Sequence, residues 1–136
     1  MDLHSNVKAS RAIAPAAATT DNTPWVSAIL DTQNYDTNEL VLQAGVLSDA
    51  DATFTVLLEE SNDSGMSGAV AVADADLIGL ESEASFTFAD DNVTKKLGYR
   101  GNKRYIRATV TPANNTGNAF LAAVWLQANG RKKPAS

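Results

Sequence analysis

Three kinds of side chain in this sequence could do chemistry: one histidine, a set of closely spaced aspartates, and a run of cations interleaved with aromatic residues. His4 lies four residues from the start. A general base must be held within hydrogen-bond reach of its partner, and a position so near a terminus is poorly placed for that. There is no cysteine, so thiol nucleophiles, disulfides and thiolate zinc sites are excluded. The pairs Asp49/Asp51, Asp74/Asp76 and Asp90/Asp91 could offer oxygen ligands to Ca²⁺, but none sits in the alternating loop, with its central glycine and terminal glutamate, of an EF-hand. Aspartate at those spacings is also ordinary turn chemistry. A carboxylate pair could serve glycoside hydrolysis, yet nothing singles out one pair among 16 acids. We therefore expect no enzyme, no metal and no cofactor.

The cationic run extends from Lys95 to Arg107, with Tyr99 and Tyr105 inside it. Such a run could stack and neutralise single-stranded nucleic acid. The net charge of −5 opposes that, and the charges are segregated along the chain. Residues 1–94 hold two basic and sixteen acidic side chains, a net of −14; residues 95–136 hold nine basic and none acidic, a net of +9. Either acidic early strands lie beside basic late strands in one domain, or an acidic face of one subunit meets a basic face of another. Both point to protein contacts rather than nucleic acid. Gly98-Tyr99-Arg100-Gly101 lies between strand patterns, not ahead of a helix, so it is not a phosphate loop.

The elements that must position these residues read as strands. Asn38–Ala44, Ala52–Glu60, Ala84–Ala89 and Arg104–Thr111 alternate with period two, as half-buried antiparallel strands do. Phe54, Val56 and Leu58 face one way, as do Phe86 and Phe88, and as do Ile106, Ala108 and Val110. Trp25–Leu30 alternates similarly, and both Trp25 and Trp125 sit in apolar strands as core residues. Asn118–Gln127 is apolar on both faces, so it lies centrally in a sheet or is covered by a partner on its second face. Turn residues cluster at Asn62-Asp63-Ser64-Gly65, Asp90-Asp91-Asn92, Arg100-Gly101-Asn102 and Asn114-Asn115-Thr116-Gly117. Gly65–Leu80 is ambiguous between a short helix and a loop with brief strands. Seven to nine short strands without a long helix imply an antiparallel β-sandwich or barrel.

Residues 1–22 differ in character: rich in Ala, Ser and Thr, without aromatics, their apolar residues single. They read as an extended N-terminal arm, which about 20 residues could stretch to roughly 65 Å. Residues 23–128 form the β-sandwich and 129–136 a basic C-terminal tail. Nothing resembles a signal peptide, and no stretch approaches the ~20 apolar residues of a membrane helix. Synthesis in the producing cell's cytoplasm, with no membrane partner, is the expectation.

The segments "SDADATFTVLLEESNDSG" and "SFTFADDNVTKKLGYRGNKRYIRATVTPANNTGNAFLAAVWL", with the stretch from Asp2 to Gly45, resemble small proteins encoded beside the major capsid gene of tailed phages. The similarity covers nearly the whole chain and is one of overall pattern. Among them, the jelly-roll cement proteins of the Bordetella podophage type are the nearest comparison. The resemblance implies a jelly-roll sandwich on the outside of an icosahedral head, a virion component whose partners are the major capsid protein and itself, as a homodimer. It carries over no individual functional residue. From the residues themselves we expect capsid or subunit contacts at Val7, Lys8, Arg11 and Ile13 on the arm, and at Lys95, Lys96, Arg100, Lys103 and Arg104 in the basic band. Two other roles fit a small β-domain: a carbohydrate- or receptor-binding module using Trp25, Tyr35, Tyr99, Tyr105 or Trp125, and a head–tail connector.

Overall fold

The computed structural model of the chain describes residues 2–130. Eleven strands run in chain order: β1 (Val7–Ile13), β2 (Trp25–Val26), β3 (Leu30–Asp31), β4 (Tyr35–Leu47), β5 (Thr53–Ser61), β6 (Val70–Ala71), β7 (Leu77–Ile78), β8 (Phe86–Thr87), β9 (Thr94–Tyr99), β10 (Tyr105–Ala113) and β11 (Ala119–Gly130). One short helix, α1 (Glu81–Ala84), and three single 3-10 turns complete the described elements. No helix among the described residues is long and apolar enough to cross a membrane.

Two antiparallel sheets form. The first has the order β1-β11-β4-β9-β7; the second has β2-β10-β5-β6, with β3 also on β10 and β8 also on β5. First strand pairs with last, and β2 and β3 pair with the next-to-last. β4 lies between β11 and β9. That nesting is a hairpin rolled into a sandwich, the jelly roll. The expected all-β antiparallel sandwich is therefore the fold observed.

The alternation explains the packing. Phe54, Val56 and Leu58 of β5, Ile106, Ala108 and Val110 of β10, and Leu40 and Leu42 of β4 all point between the sheets and are buried. Trp125 is buried and its Nε1 donates to the Ala28 carbonyl at 3.1 Å. Phe54 stacks on Phe86, centroids 4.9 Å apart, with Trp25 at 6.0 Å on its other flank. The buried Gln127 amide is paired, its Nε2 donating to Asn38 Oδ1 (2.9 Å) and the Asp31 carbonyl (3.1 Å).

Several expectations change. The N-terminal segment is not a free arm: Val7–Ile13 is hydrogen-bonded along β11 as the edge strand β1, and Thr19 exchanges backbone hydrogen bonds with Ala119. Its single apolar residues concealed a strand because an edge strand buries little of its own surface. Trp25–Leu30 breaks into β2 and β3 at Ser27, whose Oγ accepts from Ala108 N–H (2.9 Å) and so replaces a ladder contact. Phe88 does not share the face of Phe86; the chain enters a 3-10 turn at Phe88–Asp90 and leaves the Phe88 ring 42% exposed. The strand β9 was hidden by its lysines. The basic tail boundary also shifts, since β11 extends through Asn129 and Gly130; positions 131–136 lie outside the described residues.

A candidate docking face and a polar cleft

The aspartates do turn chemistry. Asp49 accepts from the backbone N–H of Asp51 (2.9 Å) and from both Thr116 N–H (2.8 Å) and Thr116 Oγ1 (2.9 Å). These hydrogen bonds, that from Thr116 N–H foremost, hold its carboxyl below the usual range. Asp91 accepts from Leu47 N–H (2.9 Å), Asp90 from Thr87 N–H (2.9 Å), and Asp63 from Gly65 N–H (2.9 Å). Among the described residues no group of three His, Cys, Asp or Glu side chains is arranged to hold a metal.

The charge asymmetry is answered in part within the molecule. Arg104, just before β10, forms a bidentate pair with Asp31 of β3 (Nε–Oδ1 3.0 Å, Nη2–Oδ2 2.9 Å). That fork holds the Asp31 carboxyl below its usual range. Arg107 Nη2 meets Glu59 Oε1 at 3.2 Å across β10 and β5, and Lys95 lies 3.7 Å from Asp90.

What remains exposed is unusual. On the outer face of the β1-β11-β4-β9-β7 sheet, register places Arg11, Val124, Val41 and Lys96 in one row. The next row reads Ala9, Leu126, Glu39, Gly98 and Ile78; a third reads Val7, Ala128 and Thr37. Each row steps across strands about 4.8 Å apart, so Arg11 and Lys96 stand roughly 14 Å from one another with two valines between. Val124 is 41% and Ile78 50% exposed. An apolar band on an outer sheet face departs from the polar surface such a face normally shows water.

Two glycines shape this face. A Cβ on Gly98 would come within 2.9 Å of both Ile78 Cβ and Glu39 Oε1, so only glycine lets the two neighbouring strands close here. A Cβ on Gly45 would lie 2.9 Å from Phe120 Cβ. Beside Gly45 and Phe120, a notch of about 190 Å³ opens against Pro15 and Ala16. Glu39 is the one carboxylate in the rows above; burial raises its pKa, partly opposed by Lys96.

The residues expected at contacts thus separate into three groups. Val7, Arg11 and Lys96 are on the apolar face. Arg100, Lys103 and Arg104 line a polar cleft of about 440 Å³ at one end of the sandwich, with Tyr35 and Asp36 opposite. The others belong to neither. Ile13 is a core residue: the register shifts between Arg11 and Ile13, turning Ala12 and Ile13 inward, so it cannot anchor a partner. Lys8 lies 5.8 Å from the Tyr35 ring centroid, and Lys95 is paired with Asp90. Sequence reasoning missed Val41, Val124, Leu126, Phe120 and Ile78. The double-sided apolar character of Asn118–Gln127 was the available signal for the three of them on β11.

Of the aromatic residues that might form a sugar platform, Trp125 and Tyr99 are buried and Trp25 packs on Phe54. Tyr105 has the Arg104 guanidinium 5.1 Å from its ring centroid.

No protein-family model and no curated protein sequence matches the chain. Among solved structures it is similar to the capsid of Ralstonia phage GP4 (14% identity, 97% of this chain and 90% of that one, TM-score 0.47). It is also similar to the CBM22-1 xylan-binding domain from Paenibacillus barcinonensis Xyn10C (7% identity, 93% and 88%, TM-score 0.49). A third similarity is to infectious bursal disease virus Gx strain (10% identity, 94% and 33%, TM-score 0.45). All three fall below a TM-score of 0.5 and their titles name unlike roles, so we rest function on the surface of this molecule.

Proposed function

We propose that this protein is a non-catalytic structural component of a virus particle that binds the outside of an icosahedral phage head and cements neighbouring major capsid protein subunits. One observation carries the proposal: the outer face of the β1-β11-β4-β9-β7 sheet carries a mainly apolar band, with Glu39 inside it, and Arg11 and Lys96 at the ends of its Val124–Val41 row. Contiguous exposed apolar surface rimmed by polar residues is where proteins dock. The two cations suit a partner surface with acidic residues either side of an apolar strip, and such complementarity sets register and orientation. The resemblance of the sequence to capsid-decorating proteins supplies the partner.

A homodimer would present two such faces, so that one decorated position ties two capsid subunits together and the second contact gains from the first. Catalysis has no part in this role. Sugar binding is disfavoured by the burial of Trp125 and Tyr99 and by the packing of Trp25.

The test is co-sedimentation with undecorated heads assembled from the major capsid protein, with light scattering on the free protein. Saturable pelleting that Val124→Glu abolishes, with the variant still folded, is the expected result. Failure to pellet, or equal pelleting of Val124→Glu, would overturn the proposal.

A further inference from the structure

We infer that the polar cleft at the end of the sandwich is a second binding site, one that takes the carboxylates of an acidic protein segment. Its walls are the turn before β4, through Thr32 and Tyr35, and the Arg100–Arg104 turn between β9 and β10. At about 440 Å³ it has room for a few side chains.

The chemistry of its cations favours a carboxylate. Arg104 is already neutralised by its fork with Asp31. Arg100 is held differently: its Nε donates to the Ala75 carbonyl at 3.0 Å, and its backbone N–H to the Asp76 carbonyl at 2.8 Å. The guanidinium is therefore fixed in place while its terminal nitrogens have no protein acceptor among the described residues. A planar fork so presented matches the two oxygens of a carboxylate. Lys103 is positioned from its backbone, whose N–H donates to Tyr99 Oη at 3.0 Å; that hydroxyl donates in turn to the buried Glu60 at 3.0 Å. Its ammonium forms no ion pair among the described residues. Lys103 also borders a second cleft lined by Glu60 and Asp63, which repels a carboxylate and leaves the first cleft as the acceptor.

Asp36 is the one acidic residue in the lining. Against it stand Arg100 and Lys103. A polyphosphate backbone is the poorer ligand, because the protein as a whole is anionic and binding to nucleic acid rests on many phosphate contacts at once.

The experiment is an amide-resolved NMR titration of the full chain with a short oligo-glutamate peptide at low ionic strength. Shifts confined to residues 32–36 and 100–104, weakened about tenfold or more by the Arg100→Gln/Lys103→Gln double variant, are expected. Val124→Glu should leave this titration unchanged, which separates this site from the capsid-facing one. No shifts, shifts centred elsewhere, or an unchanged affinity in the double variant would overturn the inference. So would tighter binding in the same loops by a short oligothymidine or a neutral xylo-oligosaccharide.

Discussion

On the outer face of the β2-β10-β5-β6 sheet, Thr111 stands opposite Thr55, Arg107 opposite Glu59, and Thr109 between Val26 and Leu57. On the outer face of the β1-β11-β4-β9-β7 sheet, the corresponding central positions are Val124 opposite Val41 and Leu126 opposite Glu39. Both sheets supply half of one core, and both strands at the centre of each alternate with the same period. They differ only in what occupies the outward positions. The second sheet interrupts its exposed apolar residues, Val26 and Leu57, with threonines and the Arg107–Glu59 pair, which suit water on a pleated surface; on the first, valine, leucine and alanine adjoin one another in neighbouring rows, with Glu39 the one carboxylate among them. The sandwich needs only its inner faces to fold, so the composition of the outer faces reports what each must meet outside the molecule.

The sharpest way to break this contrast is to make the apolar face resemble the other. Val124→Glu should reduce binding to capsid heads by a hundredfold or more, about 3 kcal/mol, with Tm nearly unchanged because the side chain is partly exposed. Thr109→Glu, at the matching place on the polar face, should bind as the parent does. Co-sedimentation and thermal melting of both variants check this.

Packing within the apolar face comes next. Gly98→Ala forces Ile78 and Glu39 apart and should destabilise the fold by about 1–3 kcal/mol, read in a denaturant titration. An unchanged midpoint would mean that the strands are not closed there as described.

Glu39→Gln should have a smaller effect and one that depends on pH. Burial raises the folded-state pKa of Glu39 above its unfolded value, so the ionised group costs stability above the folded pKa, and that cost fades as pH falls below the ordinary carboxylate range. Removing the charge should therefore stabilise near neutral pH, by under about 1 kcal/mol given the partial exposure, and do nothing in acid. Melting at two pH values shows it. The opposite sign applies to Asp31, whose depressed pKa contributes stability above its unfolded value that is lost as pH falls through the folded one.

The smallest effect on capsid binding belongs to the polar face. Arg107→Met removes a partly buried pair with Glu59 and should shift stability by about 1 kcal/mol without touching capsid binding.

Much of this architecture is local and was therefore readable. Ile106, Ala108 and Val110, and Phe54, Val56 and Leu58, announce their inner faces by alternation, and Asp49, Asp63 and Asn114 mark turns because their side chains cap nearby backbone or accept a positive φ. The reading failed where the deciding contact was distant in sequence. β1 is a strand because β11, at the far end of the sequence, offers it a ladder. Ile13 enters the core because of a register shift visible only in that pairing. Phe88 leaves the core because the alternation ends at a turn its own residues do not advertise.

The candidate surfaces divide in the same way. By itself the sequence determined that no thiol chemistry was available, that the molecule would be an antiparallel β-sandwich or barrel, and that Asn118–Gln127 had one apolar face too many. Only the tertiary structure decided that this extra face lies beside Val41 and between Arg11 and Lys96, and that Arg100 and Lys103 gather in a cleft while Arg104 and Arg107 are consumed by internal pairs. Alternation is written into each strand because it depends on neighbours two residues apart; which strands stand side by side depends on how a long hairpin rolls up, and that is settled by burial summed over the whole chain.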